Sequence, residues 1–472
     1  VIALGGEEIA SAAGAEVVTR GEGGSPARAV IDSRDVRPGD LFVGLPGASA
    51  DGGEFARDAL AAGAWGALVS PERAQGLEGG WVLAAPQPLA ALQALAREWR
   101  RRLGAGVIGI TGSVGKTSVK DIARALLPGR VHASRENYNT EIGLPLTVLE
   151  APEETDVLVL EMAMRGAGQI AELAEIAEPD VAVITNVGPV HVELLGSVEA
   201  IAETKAEVLA HLPPSGTAVV PAQAAELEPH LGAAPRLLRF GEGGDVRAAE
   251  RSVEEGVTAA LVETPAGSAR FHFPFTEAHN LLNALAAIAA GVALGAPLAE
   301  MADRAPDIGF SRLRGQRLRL GKGIVLVNDC YNANPVSMRA ALDHLATLDA
   351  NRRIAVLGLM GELGPEAPGY HREVGEHARA AGIDTVIGVG EEGRDYDPDE
   401  LVAGPDEAAD LLAEQLEPGD VVLVKGSRSA GLERVAEALE ELIGGPSAPG
   451  RIRPAGESPV ADAPSEEADG SG

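Results

Sequence analysis

From residue 104 onward, short runs rich in valine and isoleucine alternate with longer stretches of helical period. VIGIT, DVLVLEM, DVAVITNV and TAVVPA fall between 104 and 305. IVLVND, RIAVLGLM, DTVIGVG and DVVLVKG fall between 306 and 443. A strand covered on both faces needs no polar side, so near-continuous apolar runs predict buried parallel strands. In the second series, helical patterns near 336–348, 371–381, 406–416 and 430–442 complete a βαβα alternation and hence an open parallel sheet. Residues 1–103 read as a first unit, with short strands AVIDSR, DLFVGLPG and WGALVS and an outgoing helix, LAALQALAREWRRRL. HNLLNALAAIAAGVAL predicts a strongly apolar helix near the end of the second unit. The predicted fold class is therefore α/β in three domains, 1–103, 104–305 and 306–443. From 444 to 472 bulky apolar residues almost vanish and Pro, Gly, Ser and acid dominate, which predicts a disordered acidic tail.

Charge and cysteine content narrow the function. The net charge of −31 opposes nucleic acid and anionic membranes, so no nucleic-acid partner is expected. It opposes anionic ligands too, so any phosphate must be held by local devices. No run approaches the ~18–20 apolar residues of a membrane span. The first residues lack a basic leader, and a single cysteine fits a reducing compartment. A cytoplasmic monomer is expected.

The clearest chemistry lies in VIGITGSVGKTSVKDIARALL. A buried strand runs into Thr111, Gly112, Ser113, Val114, Gly115, Lys116 and Thr117, and then into a helix. Glycines let successive N–H groups curl toward one anion, and the helix adds its positive end. Lys116 can bridge outer phosphates, and the Thr117 hydroxyl can bind Mg²⁺. The longer G-x-x-x-x-G-K-[ST] pattern fails at Ile110, but T-G-x-x-G-K-T is intact. Glu161 and His191 each follow a strand of the same sheet and suit a Mg²⁺ or water shell. Lys205, in IAETKAEVL, cannot ligate metal as an ammonium and on its own reads as a solvated helical face. Cys330 has no Cys/His partner pattern and reads as a buried strand-end residue.

These segments, in this order, resemble the Mur ligases: the loop, EMAMRGAGQI, ITNVGPVHVELLGS, AETKAEVL, AHNLLNALAA, NDCYNANPVSM, VLGLMGELG and VKGSRSAGLE. The resemblance spans about residues 28 to 442. It implies a UDP-sugar-binding N-terminal domain, a central ATPase domain and a Rossmann-like C-terminal domain. It also implies ATP, two Mg²⁺ ions held by Thr117, Glu161, His191 and a carbamylated Lys205, and catalytic roles for Lys116, His191 and Lys205. Asn280, Asn283, Arg317 and Asp329 would contact the nucleotide. Ser33 and Arg34 would bind the UDP-sugar. Tyr331, Asn332, Asn334, Lys425, Ser427 and Arg428 would line the peptide site. YNANPVSM and KGSRS resemble most the member that joins D-alanyl-D-alanine to UDP-N-acetylmuramoyl-tripeptide through an acyl phosphate.

Four positions depart from the family pattern: Gly53 replaces the histidine of D-G-H, Thr140 replaces an asparagine of N-x-N-N-x-I-G, Leu359 replaces the acid of G-D-M, and PAQAAEL replaces N-A-D-D. Two other readings are a folylpolyglutamate-type ligase, disfavoured by YNANP and KGSRS, and a phosphate-loop switch that ligates nothing, disfavoured by the third unit.

Overall fold

The computed structural model describes residues 2–47, 50–135, 137–189 and 195–444. The tail expected after Gly444 and His191 lie outside the described residues.

Each predicted run becomes a strand. In the second unit the order is Leu237–Phe240, Thr217–Pro221, Val181–Ile184, Gly106–Thr111, Val157–Glu161, Val131–Ala133, all parallel. The strand Gly106–Thr111 enters the centre, and the chain winds to one edge before continuing on the other side. The loop after it therefore leaves at the point where strand order reverses, the place where open α/β sheets bind ligands.

The third unit repeats this plan. Its order is Gln316–Arg319, Val325–Asn328, Val421–Lys425, Arg353–Leu357, Thr385–Val389, Glu400–Val402, parallel except for the first pair. Separate apolar clusters cover its two faces, one around Val424, Leu412 and Leu439, the other around Leu357, Leu342 and Val374. That double cover is why its strands read as unbroken apolar runs.

The first unit is a five-stranded sheet, mostly parallel, with Glu16–Thr19 antiparallel at one edge. Its outgoing helix, Pro88–Leu103, places Leu92, Leu95 and Trp99 on one stripe, all buried. Burying each leucine contributes about 1.5–3 kcal/mol. The Trp99 indole N–H donates to Ala151 O at 3.1 Å, and Arg100 donates to the carbonyls of Ala177 and Glu178. The helix thus ties the first unit to the second through one shared core.

Several strands were not foreseen, among them a whole sheet. Arg247–Glu254, Val257–Thr264 and Gly267–Phe273 form a three-stranded antiparallel sheet. Its turn at Glu255-Gly256, with φ of 49° and 84°, is a two-residue hairpin signal. Ala260, Val262, Phe271 and Phe273 face the apolar helix Ala278–Ala293, while the outer strand is exposed. No helix among the described residues is long and apolar enough to cross a membrane.

Candidate active site

The phosphate loop bends because two positions have no side chain. Gly112 has φ 150°, and a Cβ there would lie 1.9 Å from Thr185 Oγ1. Gly115 has φ 82°, and a Cβ there would lie 2.6 Å from Asn283 Oδ1. The next helix, Lys116–Leu126, buries Val119, Ile122, Ala123 and Leu126. No side chain caps its start, so its first N–H groups are free to meet an anion.

The neighbouring strand end clamps the loop. Asn186 Oδ1 accepts from the N–H groups of Ser113 and Val114 at 3.0 and 2.9 Å. Ser113 Oγ donates to Gly188 O at 3.1 Å and accepts from Gly188 N at 3.0 Å. Thr185 Oγ1 donates to Val114 O at 2.5 Å.

Lys116 Nζ donates to Gly112 O at 2.7 Å. Burial pushes its pKa down, Glu161 opposes that, and Arg314 adds to it. Glu161 ends its strand at 2% exposure. Its Oε2 accepts from the Thr117 hydroxyl at 2.9 Å and its Oε1 from Asn139 Nδ2 at 3.0 Å. It forms no ion pair among the described residues, although its charge acts on Lys116 beside the loop. Lys205 is 2% exposed in the helix Val198–Ala206 and makes no hydrogen bond or ion pair among the described residues. Burial, reinforced by the charge of Lys116, pushes it well below the ordinary lysine value. A lysine so placed favours the neutral amine, the form that reacts with carbon dioxide.

Asn283 Nδ2 donates to Asn280 Oδ1 at 3.4 Å, and Asn283 faces Gly115, so both asparagines border the loop. The third unit closes over them. Lys425, 2% exposed, donates to Asp329 Oδ2 at 2.6 Å and Asn332 O at 3.1 Å. Asp329 Oδ1 also accepts from Gly315 N at 3.2 Å. The Arg314 guanidinium lies 4.1 Å from the Tyr331 ring centre, and its Nε is buried with no partner. The methyl carbon Val336 Cγ2 lies 3.1 Å from where a Cβ on Gly188 would stand, so the third unit touches the loop clamp as well.

Arg317, expected at the nucleotide, is held by Glu277, while Arg314, of which nothing was expected, acts on Lys116. Arg317 Nη2 donates to Glu277 Oε1 at 3.0 Å and Thr276 Oγ1 at 2.8 Å, and lies 2.8 Å from His344 Nε2. Arg314 is the arginine whose charge reaches Lys116. Positive φ at Gly315 turns the chain between them, and positive φ at Leu313 turns it just before Arg314.

Asn334 caps the helix Pro335–Thr347, its Oδ1 accepting from Ser337 N at 2.9 Å, while Asn332 is exposed. Ser427 Oγ accepts from Gly361 N at 2.9 Å, and Arg428 pairs with Glu433 at 3.0 Å. Buried His371 accepts from Met360 N at 3.1 Å and faces Ala367 O through Nδ1 at 2.7 Å, so it shapes the loop after Leu357. Ser33 and Arg34 stand apart, at the carboxyl edge of the first sheet, with Arg34 gripped by Asp32. At Gly53, a side chain would meet Arg73 Cγ at 2.8 Å, and Arg73 pairs with Asp51 at 2.7 Å. Arg73 thus fills the space that the D-G-H histidine would need. Thr140 Oγ1 accepts from Gly143 N at 3.2 Å, and Leu359 contributes its carbonyl to Ser427 N at 2.8 Å. Arg314, Asn139, Asn186, Glu277 and His344 were not singled out from sequence.

Fold and site together define an α/β nucleotide-binding protein whose phosphate loop is covered by a second parallel sheet. Family models described as Mur ligase family catalytic domain, Mur ligase middle domain, and Mur ligase glutamate ligase domain match residues 29–97, 110–291 and 313–428. The UDP-N-acetylmuramoyl-tripeptide–D-alanyl-D-alanine ligase of Synechocystis sp. is 39% identical over 433 residues, covering 86% of this chain and 90% of that protein. The Bacillus subtilis protein of the same name is 36% identical over 428 residues, covering 87% and 92%. MurF from Acinetobacter baumannii superposes with a TM-score of 0.86 at 28% identity, over 93% of this chain and 100% of that one. MurF from Thermotoga maritima, solved with ADP, gives 0.78 at 32% identity, over 88% and 97%. The chain belongs to the Mur ligase family.

Proposed function

We propose that this chain joins the terminal carboxylate of UDP-N-acetylmuramoyl-tripeptide to the amine of D-alanyl-D-alanine, at the expense of ATP. Relatives of that name match over about nine-tenths of their length. The observation that carries the chemistry is the cluster of Lys116, Thr117, Glu161 and Lys205 in the second unit, with the charge of Arg314 reaching Lys116 from the third.

In this reading a carboxylate oxygen of the tripeptide attacks the γ-phosphorus of ATP. The bond to the β-phosphate oxygen breaks and ADP leaves, giving an acyl phosphate. The dipeptide amine then attacks the acyl carbon, loses a proton, and inorganic phosphate departs with the former carboxylate oxygen. Lys116 and the free N–H groups at the helix start hold the phosphates, and Arg314 offsets charge on the transferred group. Asn280 and Asn283 border the nucleotide, with Asp329 orienting Lys425 beside it. Tyr331, Asn332, Ser427 and Arg428 border the peptide side. Asn334 acts there through its helix cap. Closure of the third unit excludes water from the acyl phosphate.

Bound Mg²⁺ would neutralise the crowded anions. Thr117, Glu161, His191 and a carbamylated Lys205 are the groups to hold it. The buried Glu161 carboxylate, and a buried Lys205 with no partner among the described residues, fit that role. Ser33 and Arg34, with Arg73, take the UDP-sugar. Functional divisions fall near 103/104 and 305/306, and we take the protein to act as a cytoplasmic monomer.

Phosphate release from ATP and Mg²⁺, with the two co-substrates supplied together and singly, tests the reading. Release that requires both, with a UDP-pentapeptide mass, is expected. Release without both, or a different product, overturns it.

A further inference from the structure

The segment that carries Arg314 is pinned to the second unit at two places. Upstream, Ser311 N donates to Asp121 Oδ2 at 2.8 Å, on the helix that follows the phosphate loop. Downstream, Arg317 is seated on Glu277. Glu277 is the residue before the helix Ala278–Ala293 that carries Asn280 and Asn283. It is 7% exposed, and its Oε2 accepts from Thr276 N at 3.0 Å. His344 reaches the same carboxylate from the helix Pro335–Thr347, with Nε2 3.1 Å from Glu277 Oε1. One carboxylate of the second unit therefore receives two side chains from two elements of the third.

Between the pins, the chain has little freedom. Leu313 O accepts from Tyr331 N at 3.2 Å, and Gly315 N donates to Asp329. Arg314 projects between these bonds toward the loop, three residues from the anchored Arg317.

We propose that Glu277 and His344 are positioning residues for ligation: by seating Arg317 they set Arg314 over the phosphate loop and hold the third unit closed on the second. This rests on the ligase reading above. Charge explains the choice of partners. A buried carboxylate without a cation is costly, so Glu277 holds the closed arrangement wherever Arg317 can reach it.

The test compares Glu277→Ala, Arg317→Ala, their double variant and His344→Gln by steady-state kinetics, by the ratio of UDP-pentapeptide formed to phosphate released, and by trypsin cleavage after Arg312 and Arg314. Displacing Arg314 should lower kcat by roughly tenfold to a hundredfold, because small misplacements of a catalytic group cost this much. Looser closure should drop the product-to-phosphate ratio below that of the wild type. The double variant should be no worse than the poorer single variant, since both residues act through one contact. Trypsin should cut Glu277→Ala faster while its melting temperature stays near wild type. Wild-type coupling and cleavage rate in Glu277→Ala, or multiplicative losses in the double variant, would overturn the proposal. A wild-type protein that makes no pentapeptide fails the ligase reading instead, and the cleavage comparison still decides the anchoring.

Discussion

Thr117 donates its hydroxyl proton to Glu161 at 2.9 Å, joining the first turn after the phosphate loop to the end of the adjacent strand. Both are buried, and both sit where a cation bound to phosphate would need oxygen. Glu161→Gln keeps the shape and an acceptor but removes the charge. It should weaken Mg²⁺ activation by at least about tenfold. A Mg²⁺ titration of phosphate release checks this, and an unchanged midpoint would exclude Glu161 from the metal site.

Lys116→Ala should abolish ligation while leaving the fold intact, because among the described residues the side-chain hydrogen bond it loses is to Gly112 O in the loop it serves. The assay is pentapeptide formation alongside circular dichroism. An active variant would sink the phosphate-loop assignment.

Lys205 couples activity to stability with opposite signs. Its pKa is depressed in the folded state, so the unfolded chain binds more protons above the folded-state value. Stability then rises with pH up to the unfolded lysine value of 10.5. In protein depleted of carbon dioxide, Lys205→Met should add about 1–2 kcal/mol at neutral pH, as removal of an unfavourable buried group commonly does. The same variant should be inactive. Lys205→Ala should be inactive too, with partial rescue by a short carboxylic acid. Full activity without the acid would dispose of the carbamate.

Acid should destabilise the fold in a defined window. His132 and His371 both have pKa values pushed down, chiefly by burial. Below the ordinary value of 6.5 the unfolded chain takes up protons that the folded chain refuses, so stability falls as pH drops. His371→Gln should flatten part of that slope in urea melts taken between neutral and acidic pH. An identical slope would show that His371 does not contribute.

Local signals carried most of the fold. The runs ending in Thr111, Glu161 and Lys425 became strands because burial on both faces leaves its mark on every residue of the run. The phosphate loop was legible for a similar reason, since its glycines, lysine and threonine are contiguous. Arg314 was not, because what separates it from Arg317 is the turn at Gly315 and the meeting of two distant sheets. Glu277 and His344 are 67 residues apart, the difference of their numbers, and neither carries a pattern of its own. Asn334 illustrates the converse: its place before Pro335 and Ser337 marks a helix cap that a motif reading passes over. The hairpins between Arg247 and Phe273 were missed even though Glu255-Gly256 marks their first turn.

The ion pair between Lys425 and Asp329 closes the candidate site from the far end of the chain. During synthesis the phosphate loop leaves the ribosome long before its lid. The 308 residues between Thr117 and Lys425, 425 less 117, take roughly 15 to 60 s at ordinary translation rates. For that interval the nascent chain holds a nucleotide loop with no Lys425 above it. An unfinished chain can meet ATP but has no enclosed place in which to protect an acyl phosphate.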